Sequence, residues 1–385
     1  MTANSKRPCR LLVDSHLDLA WNAVQWGRDL TRPVHTIRTQ EAALPGKGRG
    51  EGTVALPELA NAGIGIAFVT TLARCTGISI ANLDYGHPSQ AFAAARGHMA
   101  YYLALERCGY GRILRSRRDV SDHLSSWQRW REDTQDTIPY PGLGMAMCME
   151  SGDPILNAQE LPEWKALGIW LIGPAHYGHG RYAGGTGSDI GMTDDGRDLL
   201  QAMSHLGISL DVTHLSDRAF DQALDLFDGI VLASHSNCRH LVSHQRQMTD
   251  TQIRAMIKRE GVIGVALDVW MLAERWVKGH STNEGIDLGS VVDHIDYICQ
   301  LSGSTRHVAI GTDLDGGFGK SQSPADIETI EDVVTMADLL QRRGYRDEHI
   351  NAIFSANWLR ILNGGLTNME ARPDTLGDAS TIRGK

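Results

Sequence analysis

Short apolar runs recur along the chain and are separated by longer segments of helical character. Each run is apolar at nearly every position, which is typical of parallel strands that are buried on both faces of a sheet. Eight such runs predict eight strands: RLLVD (10–14), IGIAFVTTL (64–72), GLGMAMCM (142–149), GIWLIGPA (168–175), GISLDVT (207–213), GIVLAS (229–234), GVIGVALDV (261–269) and HVAIGT (307–312).

The segment before the fifth run shows how these strands are connected. Thr193 is a suitable helix N-cap, and Gly207 is a suitable stop. Between them, Leu199 and Met203 belong to an apolar stripe with helical spacing. Because strands that alternate with helices form parallel sheets, eight such units favour an α/β fold, a (β/α)8 TIM-type barrel. The alternative is an open doubly wound sheet, but no glycine-rich phosphate loop follows the first run.

The pattern predicts a single catalytic domain with two additions. Residues 1–365 form the predicted barrel domain, and residues 31–55, which include PGKGRGEGT, are predicted to be a loop insertion. Residues 366–385 are polar and lack a core-forming pattern, so they are predicted to be a C-terminal tail.

Composition excludes several classes of partner. The 385 residues include 37 Lys and Arg against 46 Asp and Glu, a net charge of −9, and no basic stripe, so a nucleic-acid partner is not expected. None of the six cysteines forms a C-x-x-C pair. No run reaches the ~18 apolar residues of a membrane span, and the first run is too short for a secretory signal. We expect a soluble, cytoplasmic protein with no membrane partner.

Six of the eight runs are followed by histidine or carboxylate side chains. In a barrel the carboxyl ends of the strands converge on one face, where active sites lie. A single histidine at a strand end is usually structural, but six such ends together indicate a shared site. Imidazole and carboxylate ligands suit Zn²⁺ or a similar divalent ion, and two neighbouring ions can activate a hydroxide for hydrolysis. The residues are His16 and Asp18, Glu150, His176, His214, His235 and Asp313.

Five motifs in order resemble those of the membrane (renal) dipeptidases, a binuclear-zinc branch of the amidohydrolase superfamily. The similarity covers about residues 10 to 365, and no motif alone is specific. The segments are DSHLDL, MTDDGRDLLQAMSHLGISLDVTHLS, ASHSNCRHLVSHQRQMTDTQI, AIGTDLDGG and SANWLRIL. The resemblance implies a zinc metallopeptidase that hydrolyses dipeptides, including those with an L-Xaa-D-Xaa sequence, with a hydroxide that bridges two zinc ions.

The resemblance also implies a role for each metal-binding position. His16 and Asp18 would bind one zinc ion, Glu150 would bridge both ions, and His214 and His235 would bind the second. Cobalt or manganese could occupy the same ligands. The implied cofactor is therefore two Zn²⁺ ions per chain, and the relatives indicate a homodimer.

Three further positions receive roles from the resemblance, and each has a rival nearby. His176 would polarise the scissile carbonyl, but His179 is close in the sequence. Asp313 would carry the proton, with Asp315 as the rival. Arg246 would bind the C-terminal carboxylate of a small peptide substrate. Its neighbours Arg239, His240 and His244 leave a surface basic cluster as the other interpretation.

The residues that would face the substrate depart from the family pattern. LDLAW replaces the usual NDLP, IAFVTTLARCTG lacks the usual glutamine, and ALDVWML replaces a usual Asn-Phe-Tyr. An alternative function is therefore a related amidohydrolase that acts on N-acyl amino acids, lactams or esters. A third hypothesis, a metal-binding protein without turnover, is disfavoured because both Glu150 and Asp313 are present.

Overall fold

The strands of the protein form a curled parallel sheet. The structure, a computed structural model, describes residues 7–78 and 80–366. The strands are β1 (Leu12–Leu17), β2 (Ile64–Leu72), β3 (Gly111–Ile113), β4 (Leu143–Glu150), β5 (Leu171–Gly173), β6 (Ser209–Asp211), β7 (Val231–Leu232), β8 (Ile263–Val265) and β9 (Val308–Ile310).

Hydrogen bonds connect the strands into a ring. Six strands pair in parallel in the order β1-β2-β4-β5-β6-β7, β3 also pairs with β4, and β8 pairs with β9. A parallel bridge between Ala233 and Ile263 joins β7 to β8. On the other side, the Asp14 carboxylate accepts a hydrogen bond of 3.0 Å from the backbone N–H of Thr312, which joins β1 to the end of β9. The predicted α/β barrel class is confirmed.

Helices follow the strands as the sequence pattern predicts. They are α1 (Leu19–Val24), α2 (Val34–Glu41), α3 (Leu56–Ala62), α4 (Pro88–Arg107), α5 (Arg117–Glu132), α6 (Leu161–Ala166), α7 (Asp194–Leu206), α8 (Asp217–Leu226), α9 (Asp250–Lys258), α10 (Leu288–Ser302), α11 (Met336–Arg342), α12 (Asp347–Asn351) and α13 (Asn357–Gly365). The Thr193 hydroxyl caps α7 by accepting from the Gly196 N–H at 3.0 Å, and Gly207 ends it with φ 65°. Only a residue that tolerates the left-handed region can end the helix in this way.

Each of the eight predicted strands is present, and two local features differ from prediction. The three-residue strand β3 was not predicted, because so short a run carries no recognisable periodicity. The segment 31–55 was predicted to be a loop, but it contains helix α2, which buries Val34 and Ile37 at a spacing of three residues. Residues 367–385 of the predicted tail lie outside the described residues.

Aromatic side chains fill one end of the space that the strands enclose. Phe68 of β2 makes edge contacts with Trp170 and with Trp358 of α13, with ring centroids 5.0 and 5.3 Å apart. The Trp358 indole N–H donates to the carbonyl of Ile310 at 2.8 Å, which fastens α13 to β9. With this end filled by apolar residues, the carboxyl ends of the strands are where polar side chains gather. In residues 7–78 and 80–366, no helix has the length and apolarity that crossing a membrane requires.

Candidate metal centre

The seven histidine and carboxylate residues predicted at the strand ends lie together in the structure. Three sets of ligand atoms each fall within 4.8 Å of one another, and the sets share His16 and Glu150. Four of these residues lie three positions beyond the last residue of a strand: His176 follows β5, His214 follows β6, His235 follows β7 and Asp313 follows β9. The sets are His16, Glu150 and His235; Glu150, His176 and His214; and His16, Asp18 and Asp313.

Glu150 is the centre of the cluster, and its two oxygens face different histidines. Oε2 lies 3.4 Å from Nε2 of His16. Oε1 lies 3.3 Å from Nε2 of His214 and 3.6 Å from Nε2 of His235. This division of one carboxylate between two groups of nitrogen atoms is what a bridging ligand of two ions requires.

The nitrogen atoms that face Glu150 fit a bound cation. Nε2 of His16 is buried and has no hydrogen-bond partner among the described residues. Nε2 of His214 and Nε2 of His235 lie 3.1 Å apart. A buried polar atom without a partner costs about 1–3 kcal/mol, so such atoms usually have a ligand. Imidazole and carboxylate together are a donor set that suits zinc and similar divalent ions.

Hydroxyl groups contact the other nitrogen of each of these histidines. Nδ1 of His235 lies 2.9 Å from Oγ of Ser234, and Nδ1 of His16 lies 3.4 Å from the same oxygen. Nδ1 of His214 lies 3.1 Å from Oγ1 of Thr186. Because a hydroxyl oxygen can accept a hydrogen bond from Nδ1–H, each neutral ring can carry its proton on Nδ1 and keep Nε2 unprotonated, as a metal ligand requires. Ser234 precedes His235 in the sequence, but Thr186 is 28 residues from His214 and carries no local signal.

The electrostatic balance of the site also favours a cation. Burial opposes a charged His16, but Glu150, Asp18 and Asp313 together outweigh it and raise the pKa of His16 to about 10. Burial, with the charge of Glu150 nearby, raises the pKa of Asp18 to about 7. Burial lowers the pKa of His214 well below its usual range, which keeps that ring neutral. The neighbouring histidines hold the pKa of Glu150 well below its usual value, whereas Asp18 and Asp313 lack enough positive charge from the protein alone.

Asp313 and Asp315 have different surroundings. Asp315 accepts hydrogen bonds from the Thr53 N–H at 2.8 Å, from the Thr53 hydroxyl at 2.8 Å, and from the Val54 N–H at 3.1 Å. Within the described residues the Asp313 carboxylate accepts none, and its Oδ1 lies 3.9 Å from Nε2 of His16. Burial raises the pKa of Asp313 well above its ordinary value, and Glu150 and Asp18 add to the effect. Burial raises the pKa of Asp315 as well, so the hydrogen bonds distinguish the two aspartates: they hold the Asp315 carboxylate and leave that of Asp313 free.

His176 lies in the cluster, whereas His179 does not. Nε2 of His176 lies 3.5 Å from Oε1 of Glu150, and its Nδ1 lies 3.1 Å from Nη1 of Arg74. Burial lowers the pKa of His176 to about 4, so the ring is neutral. His179 is exposed and pairs through its backbone with Gly184. The geometry therefore favours His176 for a role beside the cluster.

Arg246 is buried beside the cluster and is fixed by two hydrogen bonds. Its Nη2 donates to the carbonyl of His235 at 2.7 Å, and its Nη1 donates to the hydroxyl of Ser236 at 3.1 Å. Arg239 instead forms an ion pair with Asp217, with Nη2 to Oδ1 at 2.7 Å. Arg239 and Arg246 therefore do not form one basic cluster on the surface. Of the two, Arg246 is the arginine that lies beside the site.

Two groups near the site were not found by sequence reasoning. Arg74 follows β2 and contacts His176, although only its position after a buried strand could have drawn attention to it. Asp268, in the segment ALDVWML, is buried and accepts from Gln322 Nε2 at 2.7 and 2.8 Å and from Trp270 Nε1 at 2.8 Å. Burial raises the pKa of Asp268 to about 6, and the Lys47 charge opposes the shift. Both lie in segments that depart from the expected family pattern.

The backbone is strained at two of the cluster residues, just beyond the strands that carry them. His214 has φ 68° and Asp313 has φ 57°, although neither is glycine. Such left-handed conformations are uncommon for residues with a side chain, and they concentrate at functional sites.

Comparison with known proteins identifies one family model and several relatives. The model described as membrane dipeptidase, Peptidase family M19, matches residues 9–371. A protein in the pqqA 5' region of Klebsiella pneumoniae is 28% identical over 214 residues, which cover 54% of this chain and 76% of that protein. Dipeptidase tcpJ of Claviceps purpurea is 28% identical over 200 residues, which cover 51% of this chain but only 44% of that protein.

Solved structures share the fold at lower identity. A dipeptidase described as a metallopeptidase of family M19 is 23% identical with a TM-score of 0.71, and the match covers 93% of this chain and 99% of that one. A metallopeptidase from Rhodobacter sphaeroides, solved with a phosphinate mimic of the dipeptide L-Ala-D-Ala, is 22% identical with a TM-score of 0.70, over 92% and 99% of the two chains. The probable dipeptidase PvdM from Pseudomonas aeruginosa is 18% identical with a TM-score of 0.74, over 92% and 95%.

Proposed function

Because this chain belongs to the membrane dipeptidase family, Peptidase family M19, we propose that it is a metallopeptidase that hydrolyses the peptide bond of dipeptides. The observation that carries the proposal is the position of Glu150, whose two oxygens face His16 on one side and His214 with His235 on the other. This division gives a place for two ions that share one carboxylate.

The proposed cofactor is two zinc ions, which five residues would hold. His16 and Asp18 would hold one, His214 and His235 would hold the other, and Glu150 would contact both. When bound, the ions supply a shared hydroxide as the nucleophile and polarise the scissile carbonyl. The unpartnered Nε2 of His16 and the hydroxyl contacts at Nδ1 support this ligand assignment.

Three residues of the chain would handle the substrate and its protons. Asp313 takes a proton from the attacking water and passes it to the leaving amine, and its carboxylate, which accepts no hydrogen bond within the described residues, is free to do both. His176 stabilises the negative charge that develops on the carbonyl oxygen. Arg246 binds the free carboxylate of the substrate, which orients a short peptide.

The stereochemical preference of the proposed activity includes L-Xaa-D-Xaa dipeptides. The relative from Rhodobacter sphaeroides was solved with a mimic of L-Ala-D-Ala, and its fold matches over nearly the whole chain. Asp268 supports a dipeptide rather than an N-acyl amino acid, because a buried carboxylate whose charge reaches Asp313 can attract the ammonium group of a free N-terminus.

An assay panel tests the proposal directly. The zinc-loaded protein is given Xaa-Yaa dipeptides with L or D C-terminal residues, their C-terminal amides, and N-acetyl amino acids. We expect turnover of dipeptides with a free carboxylate, and Arg246→Ala should weaken it while Arg254→Ala, on the exposed face of α9, should not. No turnover of any dipeptide would refute the proposal. Faster turnover of N-acetyl amino acids would favour the alternative amidohydrolase.

A further inference from the structure

Arg74 makes a contact with His176 that the proposed reaction does not yet use. The residue stands two positions after β2 and is buried. Its Nη1 lies 3.1 Å from Nδ1 of His176, which is 102 residues away in the sequence. The contact joins a second strand end to the ring that faces Glu150.

The guanidinium of Arg74 is held in place from several directions. Its Nε and Nη2 lie 3.1 and 3.0 Å from Oδ2 of Asp84, which is also buried. The Arg74 backbone N–H donates to the carbonyl of Leu83, and its carbonyl accepts from Tyr85, both at 2.8 Å. Asp84 is fixed in turn, because its Oδ1 accepts from the Thr76 N–H at 2.9 Å. Arg74 therefore presents Nη1 to His176 from a rigid support.

The chemistry of arginine determines which nitrogen of His176 carries the proton. A guanidinium has only donors and stays charged in proteins, so Nδ1 of His176 must be the acceptor. We propose that Arg74 is a positioning residue that fixes His176 as the Nε2–H tautomer. His176 is thereby a hydrogen-bond donor toward the substrate carbonyl and is barred from the metal shell. The proposal rests on the proposed function in one respect only, which is that the group accepting the hydrogen bond from Nε2–H is the carbonyl of a dipeptide substrate.

The other three histidines of the cluster provide the contrast. Nδ1 of His16, His214 and His235 contacts a hydroxyl oxygen, which can accept a hydrogen bond from Nδ1–H, so that Nε2 is left free for a metal. If Nε2 of His176 bound a metal, Nδ1 would carry a proton and would face a donor of Arg74. Ligand atoms of Glu150, His176 and His214 lie within 4.8 Å of one another, so distance alone would admit His176 as a ligand. The partner at Nδ1 is what separates the two roles.

Nitrogen NMR of the metal-free protein tests the tautomer without any assay of turnover. The protein is labelled with [15N]histidine, and the His176 signals are identified by their loss in His176→Gln. We expect Nδ1 to resonate as an unprotonated nitrogen and Nε2 as a protonated one. In Arg74→Met the ring should lose its preference for the Nε2–H tautomer. Arg74→Lys keeps a charged donor, so the ring in that variant should retain most of the preference. A wild-type His176 protonated at Nδ1, or an unchanged ring in a folded Arg74→Met, overturns the proposal.

Metal content and kinetics give two further readouts. His176→Gln should bind as many zinc equivalents as the wild type, and loss of one equivalent would mean that His176 is a ligand, against the proposal.

Arg74→Met should lower kcat about 10- to 100-fold with little change in KM, and Arg74→Lys should recover most of the loss. Adding Arg74→Met to His176→Gln should cost little more than His176→Gln alone, because Arg74 acts only through the His176 ring. Full additivity of the two losses would contradict the proposal. If the tautomer is as expected but no dipeptide is cleaved, the proposed function fails and the positioning role of Arg74 stands.

Discussion

Arg28 and Asp315 form a buried ion pair, with Nη1 of Arg28 3.2 Å from Oδ2 of Asp315. Arg28 also pairs with Glu41, with Nε to Oε1 at 2.9 Å, and it donates through Nη1 to the Asn22 side chain at 2.8 Å. The Asp315 carboxylate also accepts a hydrogen bond from the Thr53 N–H, so its role is to fix the segment around Thr53 to the barrel. Asp313, two residues earlier, has no such contacts within the described residues and is the carboxylate that we propose as the proton carrier.

The two aspartates should therefore respond differently to the same change. Asp313→Asn should lower kcat by about 10²- to 10⁴-fold, because general acid–base catalysis contributes that much, while the melting temperature and zinc content stay close to the wild type. Asp315→Asn should instead lower the free energy of unfolding by about 1–3 kcal/mol, because it weakens several buried hydrogen bonds. Urea titration and steady-state kinetics measure both. A stable Asp315→Asn without activity, beside an active Asp313→Asn, would reverse the two assignments.

Glu150 should control the binding of both ions. Glu150→Gln removes the charge that its two oxygens share between His16 and His214, so we expect elemental analysis after gel filtration to show fewer than two zinc ions per chain. His179→Gln is the control, because that ring is exposed and lies outside the cluster, and it should retain the wild-type content. Full zinc content in Glu150→Gln would show that this carboxylate does not bridge the ions.

Arg246 should discriminate between a free carboxylate and an amide. A hydrogen-bonded contact with a charged group is worth about 1.5–3 kcal/mol, so Arg246→Ala should raise KM for dipeptides about 10- to 100-fold. The matching C-terminal amides lack the charge and should change far less. Equal losses for acid and amide would mean that Arg246 only supports the loop through His235 and Ser236.

His98 should make the folded protein sensitive to acid. Burial lowers its pKa from 6.5 to about 4, and its Nδ1 accepts from the Leu72 N–H at 3.2 Å. Between pH 6.5 and pH 4 the unfolded chain binds a proton that the folded chain does not, so stability falls as the pH falls through this range. The total contribution is about 3 kcal/mol, and it is fully present above pH 6.5.

Unfolding free energies at several pH values measure this effect. Between pH 6.5 and pH 4, the unfolding free energy of His98→Gln should fall less steeply with falling pH than that of the wild type. The difference between the two slopes should correspond to the uptake of up to one proton on unfolding, whatever the absolute stability of the variant at pH 7. His294, whose pKa burial also lowers to about 4, should continue to contribute in the variant. An identical pH slope in wild type and variant would exclude His98 as a source of the acid sensitivity.

The sequence predicts the strands and the cluster well because both depend on local pattern. A buried parallel strand is apolar throughout, and a polar residue such as Glu150 or His235 just beyond it marks the end where side chains converge. The short β3 and helix α2 carry too little periodicity to be recognised in advance. The roles of the individual ligands remain predictions that the proposed experiments test.

Contacts between distant segments are what the sequence cannot show. Asp313 and Asp315 are equivalent in the sequence, and only the approach of Arg28 and Thr53 distinguishes them. Likewise nothing near Arg74 in the chain indicates that it meets His176, because the meeting depends on how two strand-end loops fold over the barrel. Tertiary contacts of this kind decide the protonation state and the freedom of a side chain, and hence its role.

The left-handed backbone at His214 and Asp313 has a consequence for laboratory evolution of this enzyme. A β-branched residue introduced at either position would add conformational strain to the loss of a functional group, so few members of a random library changed there would fold and act. Asp268 and Trp270 lie outside the left-handed region. We expect more members of mutant libraries directed at those two positions to fold, because a substitution there adds no left-handed strain and leaves the proposed ion-binding residues unchanged.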